Sequence, residues 1–467
     1  MIVWSPFGKL RVTAGSFVRL GTTSKNSGRH RKKYCALNKN NSFMQTTDIT
    51  NKRTRVVLIA ILGLLTAIGP FSIDMYLPGF PAMATDLHTS INTISYSLSS
   101  FFIGLCIGQL ISGPLLDRYG RKRPLIIGLV IYIAASIGCV LVRTPEALIV
   151  LRFIQALGCC VSMVAPRAIT RDLFPLQDNA KVLSLLILLL GVSPILAPTF
   201  GSYVVAYYQW QDVFVILALI AAATLAAVIF RFRESRAPDA SVSLKPRPIL
   251  NAFGGVLKNP QFFTYAFAGG VSFAGLFAYL SGSPFLFMEY FGVSKTAYGA
   301  IFAVIAAGLI GSSQLNAVLL KKYSSEQLVT ASILLQTIIG FVLLAGITTG
   351  VLGLYGTIAV IFLLFCTLGI SSPNTAALSI LPFSKEAGSA SALLGALQMG
   401  LGALAAALTG VFANRTPAPL AIIITASGLL ALIILLAGQR RVKQLPQAEA
   451  AAETISEQAE EEACVMV

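Results

Sequence analysis

The thirteen residues from Gly113 to Leu125 read GPLLDRYGRKRPL. They hold one acid, Asp117, and four bases, Arg118, Arg121, Lys122 and Arg123, between two long apolar runs. Gly113 and Gly120 permit close approach and a tight turn. Asp117 is placed to pair with a neighbouring base or with a helix N-terminus. Taken alone, the stretch is a short basic turn joining two membrane-crossing helices on the side where positive charge collects.

The rest of the chain repeats that alternation. Of 467 residues, 55% are apolar and only 12% charged. Mean hydropathy is +0.77. A soluble domain is nearer a quarter charged. Crossing a hydrocarbon core takes about 20 apolar residues at roughly 1.5 Å of helix rise each. Twelve runs meet that need: 56–81, 93–116, 124–142, 146–170, 181–206, 212–231, 262–288, 297–320, 327–348, 351–373, 386–413 and 417–438. The expected fold class is an all-α integral membrane protein of twelve transmembrane helices.

Basic residues set the expected orientation. With a cytoplasmic N-terminus, the inner flanks and loops hold Lys52, Arg53, Arg55, Arg118, Arg121, Lys122, Arg123, Arg171, Lys181, Arg231, Arg233, Arg236, Lys245, Arg247, Lys258, Lys321, Lys322, Lys385, Arg440, Arg441 and Lys443. The outer loops hold Arg143, Lys295 and Arg415. Both termini are therefore expected inside. The longest connection, 232–261, is basic and proline-rich and reads as a cytoplasmic linker. It separates a six-helix unit at 56–231 from another at 262–438. LLDRYGRKRPLI from Leu115 and LLKKYSSEQLVT from Leu319 lie at equivalent places, between the second and third spans of each half.

The ends differ from the middle. Residues 1–55 form a basic cytoplasmic segment, and residues 1–43 hold nine Lys or Arg and no acid. The net charge of +16 falls to +7 without those nine bases, and nucleic acid is not an expected partner. An organellar presequence is one reading of this leader. The preferred one is that translation starts at Met44 and the first 43 residues are an over-extended start or a disordered tail. The segment 439–467 is expected to be a cytoplasmic tail, solvated and acidic, with Glu449, Glu453, Glu457, Glu460, Glu461 and Glu462.

PFSIDMYLPGFP, residues 70–81, closes the first run and contains Asp74, with no basic residue within fifteen positions. An ionisable group inside a span costs several kcal/mol and is read as functional by default. The alternative is that Asp74 faces water near the helix end or caps a loop, where Pro78 and Pro81 make the helix irregular. Asp74 lies about 10 Å in from the end of its run, and Arg152 about 9 Å in from the start of the fourth. The two are expected at a similar level, though the spacing does not show that they face each other. Burial raises the proton affinity of a carboxylate and a nearby guanidinium lowers it, which suits a group that exchanges protons. Arg152 is otherwise a buried anchor bonded to carbonyls and Gln155.

Other groups are weaker candidates. Phe71, Met75, Tyr76, Phe102, Phe273, Phe277 and Tyr279 are candidates for an adaptable substrate pocket, against ordinary packing. Pro194 and Pro198 are expected to bend the fifth helix. Five of the seven cysteines lie within apolar runs and both histidines, His30 and His88, lie outside them. No metal site, phosphate-binding G-x-x-x-x-G-K-[ST] loop or H-E-x-x-H is present in the sequence, so enzyme and primary-pump readings rank low.

The motifs also carry a resemblance. GPLLDRYGRKRPL resembles the G-x-L-x-D-R-x-G-R-K-x-x-L signature of the major facilitator superfamily. LIVLRFIQALG (Leu148 to Gly158) resembles its fourth-span motif, with Ala156 at a usual glycine. SPILAPTFGS (Ser193 to Ser202) resembles the fifth-span antiporter motif, keeping Pro198 and Gly201 while Ala197 and Ser202 replace glycines. PFSIDMYLPGFP with PRAITRDLF (Pro166 to Phe174) is similar to the Bcr/CflA, or bicyclomycin-resistance, group of drug/proton antiporters.

The resemblance implies the major facilitator fold, two six-helix bundles rocking about a central cavity, and proton-driven export of drugs or other small amphipathic molecules with no cofactor. It implies a multi-pass protein, expected as a monomer among the lipids of the bacterial inner membrane. Asp74 and Arg152 are the expected proton-coupling pair, with Asp74 also at the substrate. Asp117, Arg118 and Arg121, with Gly113, Gly120 and Lys122, are expected to latch the halves. Gln155 accompanies Arg152 in its motif. Arg167, Arg171 and Asp172 are expected at an inner gate or a phosphate-facing anchor. A proton-coupled importer of a small metabolite with the same fold is the alternative.

Overall fold

A computed structural model describes residues 52–465, apart from 243, 245, 384–386 and 413–415. The leader, Lys245, Lys385 and Arg415 lie outside the described residues. No strand occurs among the described residues, and twelve helices are long and apolar enough to cross a membrane. The spans are Arg53–Asp86, Ile91–Tyr119, Lys122–Leu141, Pro145–Leu173, Lys181–Tyr207, Gln211–Arg231, Pro260–Tyr290, Lys295–Leu319, Ser325–Thr349, Gly353–Ile380, Gly388–Val411 and Ala418–Val442.

Local chemistry fixes many of the ends. Ser90, Thr144 and Ser294 each accept a backbone N–H from the first turn of the second, fourth and eighth spans. Ser324 and Gln327 form a reciprocal capping box on the ninth. Asn259 caps the seventh, with Pro260 in its first turn, where a missing N–H does no harm. Inside the spans, Ser and Thr hydroxyls return to carbonyls three or four residues earlier, as Thr66 does to Leu62 at 2.7 Å.

The two halves repeat one pattern of neighbours. The fourth span packs on the second and third as the tenth packs on the eighth and ninth. The sixth lies on the third as the twelfth lies on the ninth. The halves meet where the second span packs on the eleventh and the fifth on the eighth. Small residues permit these approaches. A side-chain carbon at Gly158 would strike the Gly128 carbonyl, and one at Gly299 would lie 2.6 Å from Ser202 Oγ across the halves.

Four expectations shift. The first span continues to Asp86, interrupted after Asp74. The tenth runs through Pro373 to Ile380, since neighbouring helices and hydroxyls compensate a proline inside a bundle. The linker contains a helix, Pro246–Lys258, whose Phe253 and Val256 are buried in a cluster with Phe262 of the seventh span and Leu393 and Leu394 of the eleventh. The last helix extends through the acidic tail, Ala418–Val465; the expectations about that tail's charges lie outside the described residues.

Candidate functional site: a break in the first span

Pro78 has no N–H to give the Asp74 carbonyl, and its ring would clash with that oxygen in a continuous helix. The helix Lys52–Asp74 therefore stops at the aspartate. A turn through Met75 and Tyr76 leads into a 3-10 segment, Leu77–Gly79, and helix resumes at Phe80–Asp86. The fifth span closes on this break. A side-chain carbon at Gly201 would run into the Met75 carbonyl oxygen, so the fifth-span glycine sits where only glycine fits. Asp74 is 5% exposed. Neither a hydrogen bond nor an ion pair links its carboxylate to another described residue.

Arg152 reaches the same level and bonds elsewhere. Its Nη2 donates to the Ser72 carbonyl at 2.7 Å and its Nη1 to Gln155 Oε1. The Tyr76 and Phe101 rings each lie 4.1 Å from the guanidinium carbon. Gln155 Nε2 donates to Ser136 Oγ at 2.7 Å, and the Tyr132 hydroxyl shares a 2.6 Å bond with Ser72 Oγ. This network joins the first, third and fourth spans. Its cation is compensated by two aromatic faces and by the negative end of the interrupted helix, where the last carbonyls lack helical donors.

The expected pocket residues divide. Tyr76 is turned into the first half, its hydroxyl 3.2 Å from Ser97 Oγ, so it supports Arg152 and does not line a central pocket. Met75 is buried and Phe71 partly so. Phe102 and Phe277 meet edge to face across the halves, with ring centres 4.5 Å apart, and Phe273 packs on Phe277. Tyr279 lies against Phe365 and Phe302, fully buried, and its hydroxyl has no partner. Tyr298 bonds Ser283 at 2.9 Å.

At the basic turn, Arg121 is the centre. It donates to Asp172 Oδ2 at 2.8 Å and Asp117 Oδ1 at 2.7 Å. Burial works against its charge, but the hydrogen bonds and charges of Asp172 and Asp117 outweigh that and hold the guanidinium above the ordinary arginine value. Gly120 adopts φ +81°, and a side chain there would meet the Glu234 carboxylate. Glu234 accepts the Arg121 and Lys122 backbone N–H groups at 2.7 and 3.0 Å. Arg236 reaches Asp117 at 3.3 Å and Arg118 reaches the Val242 carbonyl at 2.8 Å.

Those bonds revise the expected latch. They tie the turn to the fourth span and to the start of the linker, instead of to a span of the second half. Asp172 belongs to this cluster and not to a separate gate with Arg167 and Arg171, both of which are exposed. Gly113 meets no neighbour within 4 Å of an added side-chain carbon, so close approach does not explain it here.

The sequence matches the Major Facilitator Superfamily over residues 62–407. The chain belongs to the major facilitator superfamily. Among its curated relatives, an uncharacterized MFS-type transporter, YdgK, of Bacillus subtilis is 32% identical over 78% of this chain and 91% of its own length. A bicyclomycin resistance protein homolog of Haemophilus influenzae is 28% identical over 80% and 93%. The multidrug resistance protein MdtL of Escherichia coli is 31% identical over 72% and 83%. The facilitator is thus similar to relatives named for bicyclomycin and multidrug resistance. Solved structures share the fold: a D-xylose-proton symporter at TM-score 0.64, with 15% identity, covers 81% of this chain and 96% of its own. The nucleoside transporter NupG reaches 0.63 at 14% identity, over 82% and 99%.

Several residues of this facilitator's sites carried no sequence signal. Glu234 sits in a run of mixed charge, RFRESR, and nothing in that run shows that its carboxylate caps the third span. Ser72, Tyr132 and Ser136 are single polar residues in apolar runs, a pattern shared with any hydroxyl bonded back to its own helix. Among the described residues, no group of three or more His, Cys, Asp or Glu is placed to hold a metal ion.

Proposed function

We propose that this facilitator exports small amphipathic, drug-like molecules in exchange for protons, and that Asp74 carries the proton. One observation bears most of the weight: a carboxylate without a partner, 5% exposed, stands at a helix break beside the junction of the halves. Left ionised and empty, such a group is costly in a membrane interior. A proton or a bound substrate relieves that cost, and alternating exposure lets one replace the other. The bicyclomycin- and multidrug-resistance relatives support a drug as the exchanged molecule.

The rest of the reading follows from placement. The two units at 56–231 and 262–438 rock about the junction, with the linker 232–261 between them. The basic turns face the cytoplasm of a bacterial inner membrane, and both termini lie on that side. Phe102, Phe273, Phe277 and Tyr279, with Phe71 and Met75, form the aromatic and soft surface next to Asp74. Arg152 holds the broken helix end, with Gln155, and so keeps the carboxylate at its level. The Arg121 cluster holds the linker against the first half. The transporter works as a monomer and uses the proton gradient in place of a cofactor.

Everted vesicles with an imposed pH gradient test this. Chloramphenicol, a sulfonamide and bicyclomycin are the probes, with the natural protein and Asp74→Asn. Gradient-dependent accumulation by the natural protein, lost in the variant, is the expected result. Accumulation that ignores the gradient, or survives in Asp74→Asn, overturns the coupling. Substrate flow into intact cells driven by the gradient establishes the importer instead.

A further inference from the structure

Lys295 stands in the wrong place by two rules. It is one of three bases expected in the outer loops, where positive charge is scarce. It is also the first residue of the eighth-span helix, capped by Ser294, and a helix N-terminus disfavours a cation. Neither the topology nor its own helix accounts for it.

The opposite half does. The fifth-span helix ends at Tyr207. Continued, it would bring the N–H of Gln209 to the Val205 carbonyl. That N–H donates instead to Asp212 Oδ2, at 2.9 Å. The Val205 carbonyl is left among the orphan acceptors of a helix C-terminus, the end that attracts positive charge. Lys295 Nζ donates to it at 3.4 Å from the second half. Among the described residues, no ion pair holds this ammonium. Asp86 lines the same cavity, of about 260 Å3, but Trp210 Nε1 and Gln211 Nε2 engage it at 3.0 and 3.1 Å.

The contact ends a long seam between the halves. Lys295 meets Val205, Gly299 meets Ser202 and Ile310 meets Gly191, so the fifth and eighth spans run antiparallel along it. The break in the first span abuts the same end. A side-chain carbon at Gly79 would lie 3.5 Å from both Val205 and Trp210. The turn Leu77–Gly79 also packs on the seventh and eighth spans.

We infer that Lys295 is a positioning residue for the transport cycle: it caps the fifth span from the opposite half, holds the outer ends together, and lets go before the protein opens outward. The inference rests on the rocking and the orientation proposed above. A cap supplied by the other half exists only while the outer ends meet. Opening returns the ammonium to an unfavourable helix N-terminus and the carbonyl to water. The bond therefore weights the cycle towards the outward-closed state. It joins a charge to a carbonyl at a partly exposed site, so its loss shifts that balance about three- to tenfold.

The experiment labels Ser202→Cys in intact cells with a membrane-impermeant maleimide, and the protein without that substitution gives the background. Ser202 is 2% exposed in the seam beside the contact, so labelling reports opening of the outer ends. Lys295→Met keeps the length of the apolar stem and removes the donor. Its labelling is expected to run about three- to tenfold faster than with the natural lysine. Lys295→Gln is a second neutral variant with the same expectation. Lys295→Arg keeps charge and donor and should label at the natural rate. Thermal unfolding in detergent checks that each variant keeps its fold. Equal rates in the neutral variants and the natural protein overturn the inference, as does an equal rise in Lys295→Arg. Labelling that requires the reagent on the cytoplasmic face also overturns it. Export in everted vesicles separates the two readings. Unchanged labelling with gradient-driven export overturns the role of Lys295 alone, and faster labelling without gradient-driven export overturns the exchange alone.

Discussion

Arg152 donates to the Ser72 carbonyl at 2.7 Å and leaves the Asp74 carboxylate, two residues further along the same span, unpaired. The arginine therefore acts on the end of a helix, and the aspartate is left without a counter-ion. Opposite charges at one depth need not pair when a helix terminus offers the cation an alternative.

Lysine at position 152 is not a conservative change. It carries the charge but cannot lie flat between the Tyr76 and Phe101 rings while donating to both Ser72 and Gln155. Arg152→Lys should lose about 1.5–3 kcal/mol of stability, the worth of a hydrogen bond to a charged group. A lowered unfolding temperature in detergent, together with reduced efflux, is the expected measurement.

Gly201 and Gly113 should respond in opposite ways. A side-chain carbon at Gly201 meets the Met75 carbonyl, so Gly201→Ala must push the fifth span off the break. Overpacking of this kind costs about 1–3 kcal/mol, and transport should fall with stability. Gly113 has open space, so Gly113→Ala should keep its unfolding temperature or raise it, as helix propensity favours alanine by about 1 kcal/mol.

The carboxylates around Arg121 should not be equal. Asp172 is 14% exposed and Asp117 40%. Asp172→Asn breaks a largely buried pair, at about 3–5 kcal/mol. Asp117→Asn removes a more screened one, worth about 0–1 kcal/mol. Both variants should insert normally and transport less, with the greater loss in Asp172→Asn. Normal transport by Asp117→Asn removes that residue from the latch.

Glu234→Gln replaces an acceptor-only group, bonded to the Arg121 and Lys122 backbone N–H groups, with one that has a single acceptor oxygen. Limited proteolysis after residue 234 should quicken in this variant, and export should slow. Unchanged cleavage would detach the linker's start from the turn.

The Arg121 bonds should not sense pH in the neutral range. Its charged state is favoured in the folded protein, so its contribution is fully present below the ordinary arginine value and lost only as pH rises through the still higher folded value. Linker protection from protease between pH 6 and about pH 9 should therefore show no step due to this arginine.

The span count and the identity of the two busiest sites were legible because each rests on a strong contrast: charge against an apolar background. Asp74 stands out in PFSIDMYLPGFP, and its neighbour Pro78 announces the interruption that the structure places there. What the sequence hides is direction. The sequence shows only that Tyr76 follows Asp74 by two residues; the break turns it onto Arg152 and Ser97. Asp172 lies fifty-one residues from Arg121, and only the packing of the fourth span on the third brings them together. The linker helix escaped notice because prolines at 246 and 248 read as breakers, although proline is well suited to a helix's first turn.

One further consequence lies in the connection between the halves. Val242 is held to the first half by Arg118, and the helix beginning at Pro246 is anchored to the second by Phe253 and Val256. Four peptide units, roughly 14 Å at full extension, lead from Val242 to the start of that helix, and about 10 Å of helix rise separates Pro246 from Phe253. While both grips hold, the stroke on that face is capped by the length of the tether, and a wider gape requires Arg118 to let go first.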